Sequence, residues 1–253
     1  GGLPFDSYSP LRAAPRGQAV GGRRVMADNT IYGCCAAIGA AGFGAATQHS
    51  ALLTEKGAAV NLYFPGTLSL QTPGGRRLNI GIDTTYPVGE DIALELSLDC
   101  PENFELALRV PGWCKASEVS VNGEAVPVVP GWLRLERLWK DGDRVQLRLP
   151  MAVETVGSWQ LCQGGGELPP HVALVRGPIV LAASEEFSGN NLSGPVELGK
   201  VRRVPVSEAP FEARLVFETE LRDGGGLRLA DYASVGKGYD KDIAVWLPCV
   251  RPL

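Results

Sequence analysis

The sequence predicts a mainly β protein, with one or two β-sandwich domains preceded by a single helix. Three observations carry that expectation. From residue 58 onward, short runs of alternating apolar and polar residues follow one another, the pattern of strands with one buried face. Turn signals separate them: Pro65-Gly66, Pro73-Gly74-Gly75, Pro111-Gly112, Asn122-Gly123 and Asp141-Gly142-Asp143. Only residues 35–56 have helical character, with Ile38, Ala41, Ala45, His49 and Leu52 at helical spacing.

Taken in order, residues 1–33 carry Pro4, Pro10, Pro15, Gly17, Gly21 and Gly22 with little apolar periodicity and read as an extended arm. The helical stretch that follows closes at Glu55-Lys56-Gly57. Its Gly39, Gly42 and Gly44 each cost up to ~1 kcal/mol in a helix interior. They make sense if the helix packs closely against other helices, yet no second long helix is evident. Strands are then expected at 59–64, 67–71, 77–84, 92–98 and 104–110. Val119 to Val121, Asn122-Gly123 and Ala125-Val126 read as a hairpin with a type I′ turn. Trp132 to Leu135 and Val145 to Leu149 flank the tight turn at Asp141-Gly142-Asp143. After Gln163-Gly164-Gly165-Gly166, Val172 to Ala182 reads as one buried strand and residues 184–200 as a loop. Further strands are expected at Phe211 to Thr219, Leu227 to Ala230 and Ile243 to Leu247. The expected organisation is 1–57 (arm plus helix), 58–163 (β-sandwich) and 164–253 (strands completing it or forming a second, smaller one).

Bulk composition excludes some functions. With 253 residues, a formal charge of −4 and a pI near 5.4, the chain lacks the basic face that nucleic-acid binding needs. Arg23-Arg24, Arg76-Arg77 and Arg202-Arg203 are isolated pairs that read as solvated charges. No apolar run approaches the ~20 residues that span a bilayer, so no membrane span is expected, and residues 1–5 show no signal-peptide pattern. The six cysteines (34, 35, 100, 114, 162 and 249) are spread through a chain large enough not to need staples. They point to a reducing, cytoplasmic setting, the last four as core fillers or bystanders.

Chemistry is expected at Cys34-Cys35. Two thiols at a helix start meet unpaired N–H groups and the positive end of the peptide dipoles, which favour thiolate. Thiolates are nucleophiles and soft metal ligands, although most free cysteines are simply small buried hydrophobes. Other candidates have blander readings. His49 is expected to be a structural histidine on the apolar face of the helix, and His171 a surface or turn residue that starts a strand. Glu185-Glu186 reads as a solvated run, because adjacent residues on an extended chain face opposite ways. Trp113, Trp132 and Trp139 suit core packing better than a sugar-stacking platform. Gly164 to Gly166 and Gly224 to Gly226 lack the lysine of a phosphate loop and read as loops.

A series of motifs runs through nearly the whole chain. It comprises Phe5-Asp6-Ser7-Tyr8-Ser9-Pro10-Leu11, Val25-Met26-Ala27-Asp28, Tyr32-Gly33-Cys34-Cys35 and Ala59-Val60-Asn61-Leu62-Tyr63-Phe64-Pro65-Gly66. It continues with Leu106-Ala107-Leu108-Arg109-Val110-Pro111-Gly112-Trp113, Val119-Ser120-Val121-Asn122-Gly123 and Trp139-Lys140-Asp141-Gly142-Asp143. Val172-Ala173-Leu174-Val175-Arg176-Gly177-Pro178 and Val245-Trp246-Leu247-Pro248 complete it. In this order the motifs resemble the C-terminal part of glycoside hydrolase family 127, which includes β-L-arabinofuranosidases. The resemblance implies a catalytic (α/α)6 barrel followed by β-sandwich domains, so that 1–57 would be a remnant of the barrel. It also implies a retaining glycosidase in which Cys34 is nucleophile and zinc ligand and Cys35 a second zinc ligand. The family's other zinc ligands and its acid/base glutamate lie upstream of the paired cysteines, and residues 1–33 contain no Glu, Cys or His. This chain alone is therefore expected to be inactive and to hold zinc poorly. The intact enzyme would act on L-arabinofuranose-type glycans, and a homodimer or association with a barrel-bearing chain would cover the helix. The competing expectation is a non-catalytic β-sandwich module for carbohydrate binding or protein association.

Overall fold

A computed structural model describes residues 13–15, 34–158, 170–188, 192, 194–195, 200–220, 225–238 and 240–249. It is mainly β, as expected. In chain order the elements begin with β1 (Ala14–Pro15), α1 (Cys34–Gln48), β2 (Ala51–Thr54), β3 (Gly57–Val60), β4 (Gly66–Gln71), β5 (Arg77–Thr84) and β6 (Asp91–Leu98). Then follow β7 (Glu102–Val110), β8 (Glu118–Val121), β9 (Glu124–Val126), β10 (Gly131–Trp139), β11 (Arg144–Arg148) and β12 (Val153–Gly157). The last are β13 (His171–Arg176), β14 (Ile179–Ser184), α2 (Glu185–Ser188), β15 (Arg202–Val204), β16 (Val216–Glu220), β17 (Gly226–Asp231), β18 (Asp242–Ala244) and β19 (Leu247–Pro248). They divide into two compact units, Ala40–Met151 and a second drawn from Gly1–Gly39 and Ala152–Leu253.

The Ala40–Met151 unit is a β-sandwich. One sheet has the order β10-β7-β3-β2 and the other β4-β5-β6-β11-β8-β9. Strict alternation makes this possible: along β6 every second residue, Ile92, Leu94, Leu96 and Leu98, is buried. These side chains share one core with Leu78 and Ile80 of β5, Leu106 and Leu108 of β7, and Trp139 of β10. Fully burying each aliphatic side chain contributes ~1.5–3 kcal/mol. Trp139 is fully buried, its indole N–H donates to the Phe104 carbonyl (3.1 Å), and its ring lies 6.1 Å from that of Phe104. The hydrogen bond removes the one polar penalty of burying an indole.

Turn chemistry sets the connections. At Asn122-Gly123 both residues have positive φ (51° and 86°), the type I′ geometry, and β8 pairs with β9 across it. The turn at Asp141-Gly142-Asp143 has Gly142 at φ 78°, but β10 and β11 belong to different sheets, so it carries the chain across the sandwich. The two turns are tied together. Asn122 donates its side-chain N–H to Asp143 (2.9 Å) and accepts from the Arg144 backbone N–H (2.8 Å), while Asp143 also accepts from the Lys140 N–H (2.9 Å).

In several places the tertiary structure overrides the expected elements. The helix ends at Gln48, and Ala51–Thr54 is strand β2, joined to β3 by the two-residue turn Glu55-Lys56. Polar side chains stop the helix: Thr47 bonds the Phe43 carbonyl (3.0 Å), His49 that of Ala45 (2.7 Å) and Ser50 that of Thr47 (2.8 Å). The expected strand 59–64 ends at Val60, and Tyr63 instead tucks inward, donating its hydroxyl to the Arg109 carbonyl (2.7 Å).

In the second unit, β1-β18-β14-β17-β16-β15 form a sheet that β12, β13 and β19 extend. The expected single strand from Val172 to Ala182 is a hairpin, β13 and β14, turning at Gly177 (φ 55°) and Pro178. The expected strand from Phe211 starts only at Val216, and Ile243 to Leu247 splits between β18 and β19. Gly226 opens β17 rather than lying in a loop, while Gly164 to Gly166 fall outside the described residues.

Candidate functional site

Cys34 and Cys35 are the first two residues of α1, the helix start that the sequence predicts. Their backbone positions are described and their side chains are not. Downstream, every side chain from Ile38 to Ala45 is exposed, with Ile38 71% and Phe43 81% exposed. A Cβ added to Gly39, Gly42 or Gly44 would meet nothing within 4 Å. Among the described residues, the glycine-rich surface of α1 is therefore open.

The remaining candidates resolve into structural roles. His49 lies just past α1, exposed, with Nδ1 donating to the Ala45 carbonyl, so it caps the helix rather than facing an apolar core. His171 does start a strand but is buried, which corrects its expected surface position. Glu185 and Glu186 form the single-turn helix α2 rather than an extended run, and Glu185 accepts from the Asp242 N–H (3.1 Å). Trp139 is core, Trp113 packs against that core, and Trp132 is partly exposed on β10 in the four-stranded sheet. Cys114 and Cys249 are buried free thiols, and burial raises both above the usual thiol range. Cys100 is half-buried, and Cys162 lies outside the described residues.

Among the described residues no group of three or more His, Cys, Asp or Glu side chains could hold a metal ion, and no helix is long and apolar enough to cross a membrane. Two cavities, of about 690 and 700 Å³, open on the six-stranded sheet of the sandwich. Sequence reading passed over their polar lining because outward positions of an alternating strand look like ordinary solvent face. The signal was present in Gln146, flanked at two-residue spacing by Arg144 and Arg148.

The described structure defines a coarse class, a mainly β protein with a β-sandwich unit and a helix that opens on a cysteine pair. Comparison with known proteins narrows it. Residues 57–151 match the family model described as β-L-arabinofuranosidase, GH127 middle domain. This chain is similar to Ara127N, a GH127 β-L-arabinofuranosidase from Geobacillus stearothermophilus T6, at 26% identity and a TM-score of 0.69. The likeness covers 87% of this chain but 38% of that one. A second GH127 β-arabinofuranosidase matches at 25% identity and a TM-score of 0.61, covering 77% of this chain and 35% of that one. Another glycoside hydrolase, at 22% identity and a TM-score of 0.63, covers 81% and 38% and shares the fold. Comparison with curated proteins found no match. The family match is thus confined to residues 57–151, and the chain spans little more than a third of the length of the solved enzymes it resembles.

Proposed function

We propose that this chain is the C-terminal portion of a retaining glycoside hydrolase acting on β-L-arabinofuranosides, with Cys34 as its nucleophile. The observation that carries the reading is the likeness to Ara127N over 87% of the chain, with Cys34-Cys35 opening α1. The α1 N-terminus presents unpaired N–H groups and partial positive charge, which favour the thiolate over the thiol. In the proposed reaction the Cys34 sulfur attacks the anomeric carbon as the bond to the leaving oxygen breaks. That oxygen takes a proton from an acid outside the described residues. Water then displaces the sulfur, so two inversions give net retention.

Zinc would hold the thiolate and blunt its basicity, but a zinc site needs about four ligands. The pair supplies two sulfurs, and no cluster of three donors occurs among the described residues. The residues present therefore do not complete a zinc site, and no step above runs through the metal. In this reading the chain alone is inactive, works in a reducing cytoplasm and associates with its barrel through the open surface of α1.

Zinc content and hydrolysis of an aryl β-L-arabinofuranoside test the proposal. The chain alone should hold no stoichiometric zinc and release no aryl group. Joined to the helical portion of its enzyme, it should hydrolyse with retention and lose that activity in Cys34→Ser. Full activity in Cys34→Ser would overturn the assignment.

A further inference from the structure

We propose that the outer face of the six-stranded sheet is a non-catalytic binding groove for a neutral oligosaccharide. Strand register builds the groove. Ala125, Ser120, Gln146, Ala93 and Asp83 stand side by side across β9, β8, β11, β6 and β5. At ~4.8 Å between strands, this floor is ~19 Å long. One wall stands two residues along β11 and β6, where Arg144 pairs with Glu95 (2.9 Å), while the same row on β5 is Gly81. On the other side Arg148 stands between Asp91 (3.9 Å) and Glu118 (3.8 Å). Each wall is ~7 Å from the floor row. Small floor side chains between tall paired ones make a trough: the cavity of about 690 Å³ lies between the floor row and Arg148, and that of about 700 Å³ spans the Arg144–Glu95 row and reaches Asn79 and Ser97 beyond it.

The lining selects the chemistry of the occupant. Asp83, Asp91, Glu95 and Glu118 outnumber Arg144 and Arg148, so phosphates and nucleic acids are repelled. The floor offers no large apolar side chain to anchor a peptide or lipid. The Gln146 side chain makes no hydrogen bond to the described residues and presents both a donor and an acceptor at mid-floor. Adjacent sugar hydroxyls satisfy that pair at once, and the ion-paired walls hold further donors and acceptors at fixed positions. Because no aromatic ring lines the trough for stacking, affinity should be low, with Kd about millimolar.

The inference rests on the proposed function only in its choice of arabinose-containing probes. Binding requires neither Cys34 nor catalysis. The test is calorimetric or NMR titration of the whole chain with arabino-, xylo- and gluco-oligosaccharides and an acidic oligogalacturonide, up to about 10 mM. At least one neutral oligosaccharide should bind saturably. Gln146→Ala should weaken it about tenfold, the loss of one hydrogen-bonding group. Ala93→Trp, filling an exposed floor position, should abolish it with the thermal midpoint unchanged, and Cys34→Ser should leave it intact. The proposal is overturned if no neutral oligosaccharide binds, if only the acidic one binds, or if binding survives in both floor variants. It is equally overturned if binding is lost in Cys34→Ser, or if Ala93→Trp abolishes self-association instead.

Discussion

Gly57 is the position where this sandwich should tolerate a single methyl least. It opens β3, which runs parallel to β7, and its φ of 155° lies in a region that side chains other than hydrogen rarely enter. A Cβ there would sit 2.1 Å from the Glu105 carbonyl oxygen, whereas real Cβ contacts stay beyond 3.0 Å. The oxygen cannot retreat, because β7 is held on its other side by β10 over nine paired residues. The start of β3 must therefore peel away, stretching the Glu105 N–H bond to the Lys56 carbonyl (2.9 Å) and uncovering buried Ala58. Backbone strain of ~1–3 kcal/mol and a lost hydrogen bond of ~1 kcal/mol give about 3 kcal/mol for Gly57→Ala. Gly81→Ala is the control. There the added Cβ meets nothing nearer than 3.8 Å and φ is not positive. Both substitutions restrict the unfolded chain alike, so their difference reports the native state. In urea unfolding followed by tryptophan fluorescence, with a slope of ~2 kcal/mol/M, Gly57→Ala should lower the midpoint by about 1.5 M. Gly81→Ala should leave it unchanged or raise it slightly. Equal midpoints for the two variants would refute the steric argument.

Three further outcomes are expected. Trp139→Ala should destabilise the sandwich by ~3–5 kcal/mol, and Trp139→Phe by ~1–2 kcal/mol for lost volume and the bond to Phe104, measured by the same unfolding. Asn122→Gly keeps the positive φ but loses both side-chain bonds at the turn junction, so it should cost ~1–2 kcal/mol by thermal melting. Alkaline pH should also destabilise the fold, because burial raises the Tyr63 and Tyr86 hydroxyls and the Cys114 and Cys249 thiols above their ordinary values. The unfolded chain releases these protons first, so it binds fewer than the native state and stability falls as pH rises past ~9. Urea midpoints that stay flat between pH 8 and 11 would contradict this (~8 to ~11 spans the ordinary Cys and Tyr values).

Alternation was enough to place β5, β6 and β11, because each has one dry face and one wet face, and a period of two is visible without knowing the partner. The type I′ turn was equally legible, since few sequences other than Asn122-Gly123 accept two positive φ values so readily. Misreadings arose where periodicity was ambiguous. Leu52 continues the helical spacing of Ile38 and Ala45, yet hydrogen bonds from Thr47, His49 and Ser50 end the helix, and pairing with Ala59 makes Leu52 part of a strand. Similarly, the apolar run from Val172 to Ala182 hides a reversal at Gly177-Pro178, because both arms of the hairpin are buried.

For the candidate site the division is sharper. The sequence by itself determined the mainly β class, the sandwich strands and the cysteine pair at the opening of α1, because these depend on local pattern and on the order of motifs. The tertiary structure alone decided that the resemblance motifs around Asn122 and Asp143 lock two turns together. It alone put Gln146 between two paired walls, with a floor drawn from five strands. Residues 83, 93, 120, 125 and 146 become neighbours only once register is set, and register depends on long-range pairing that no local run of residues encodes.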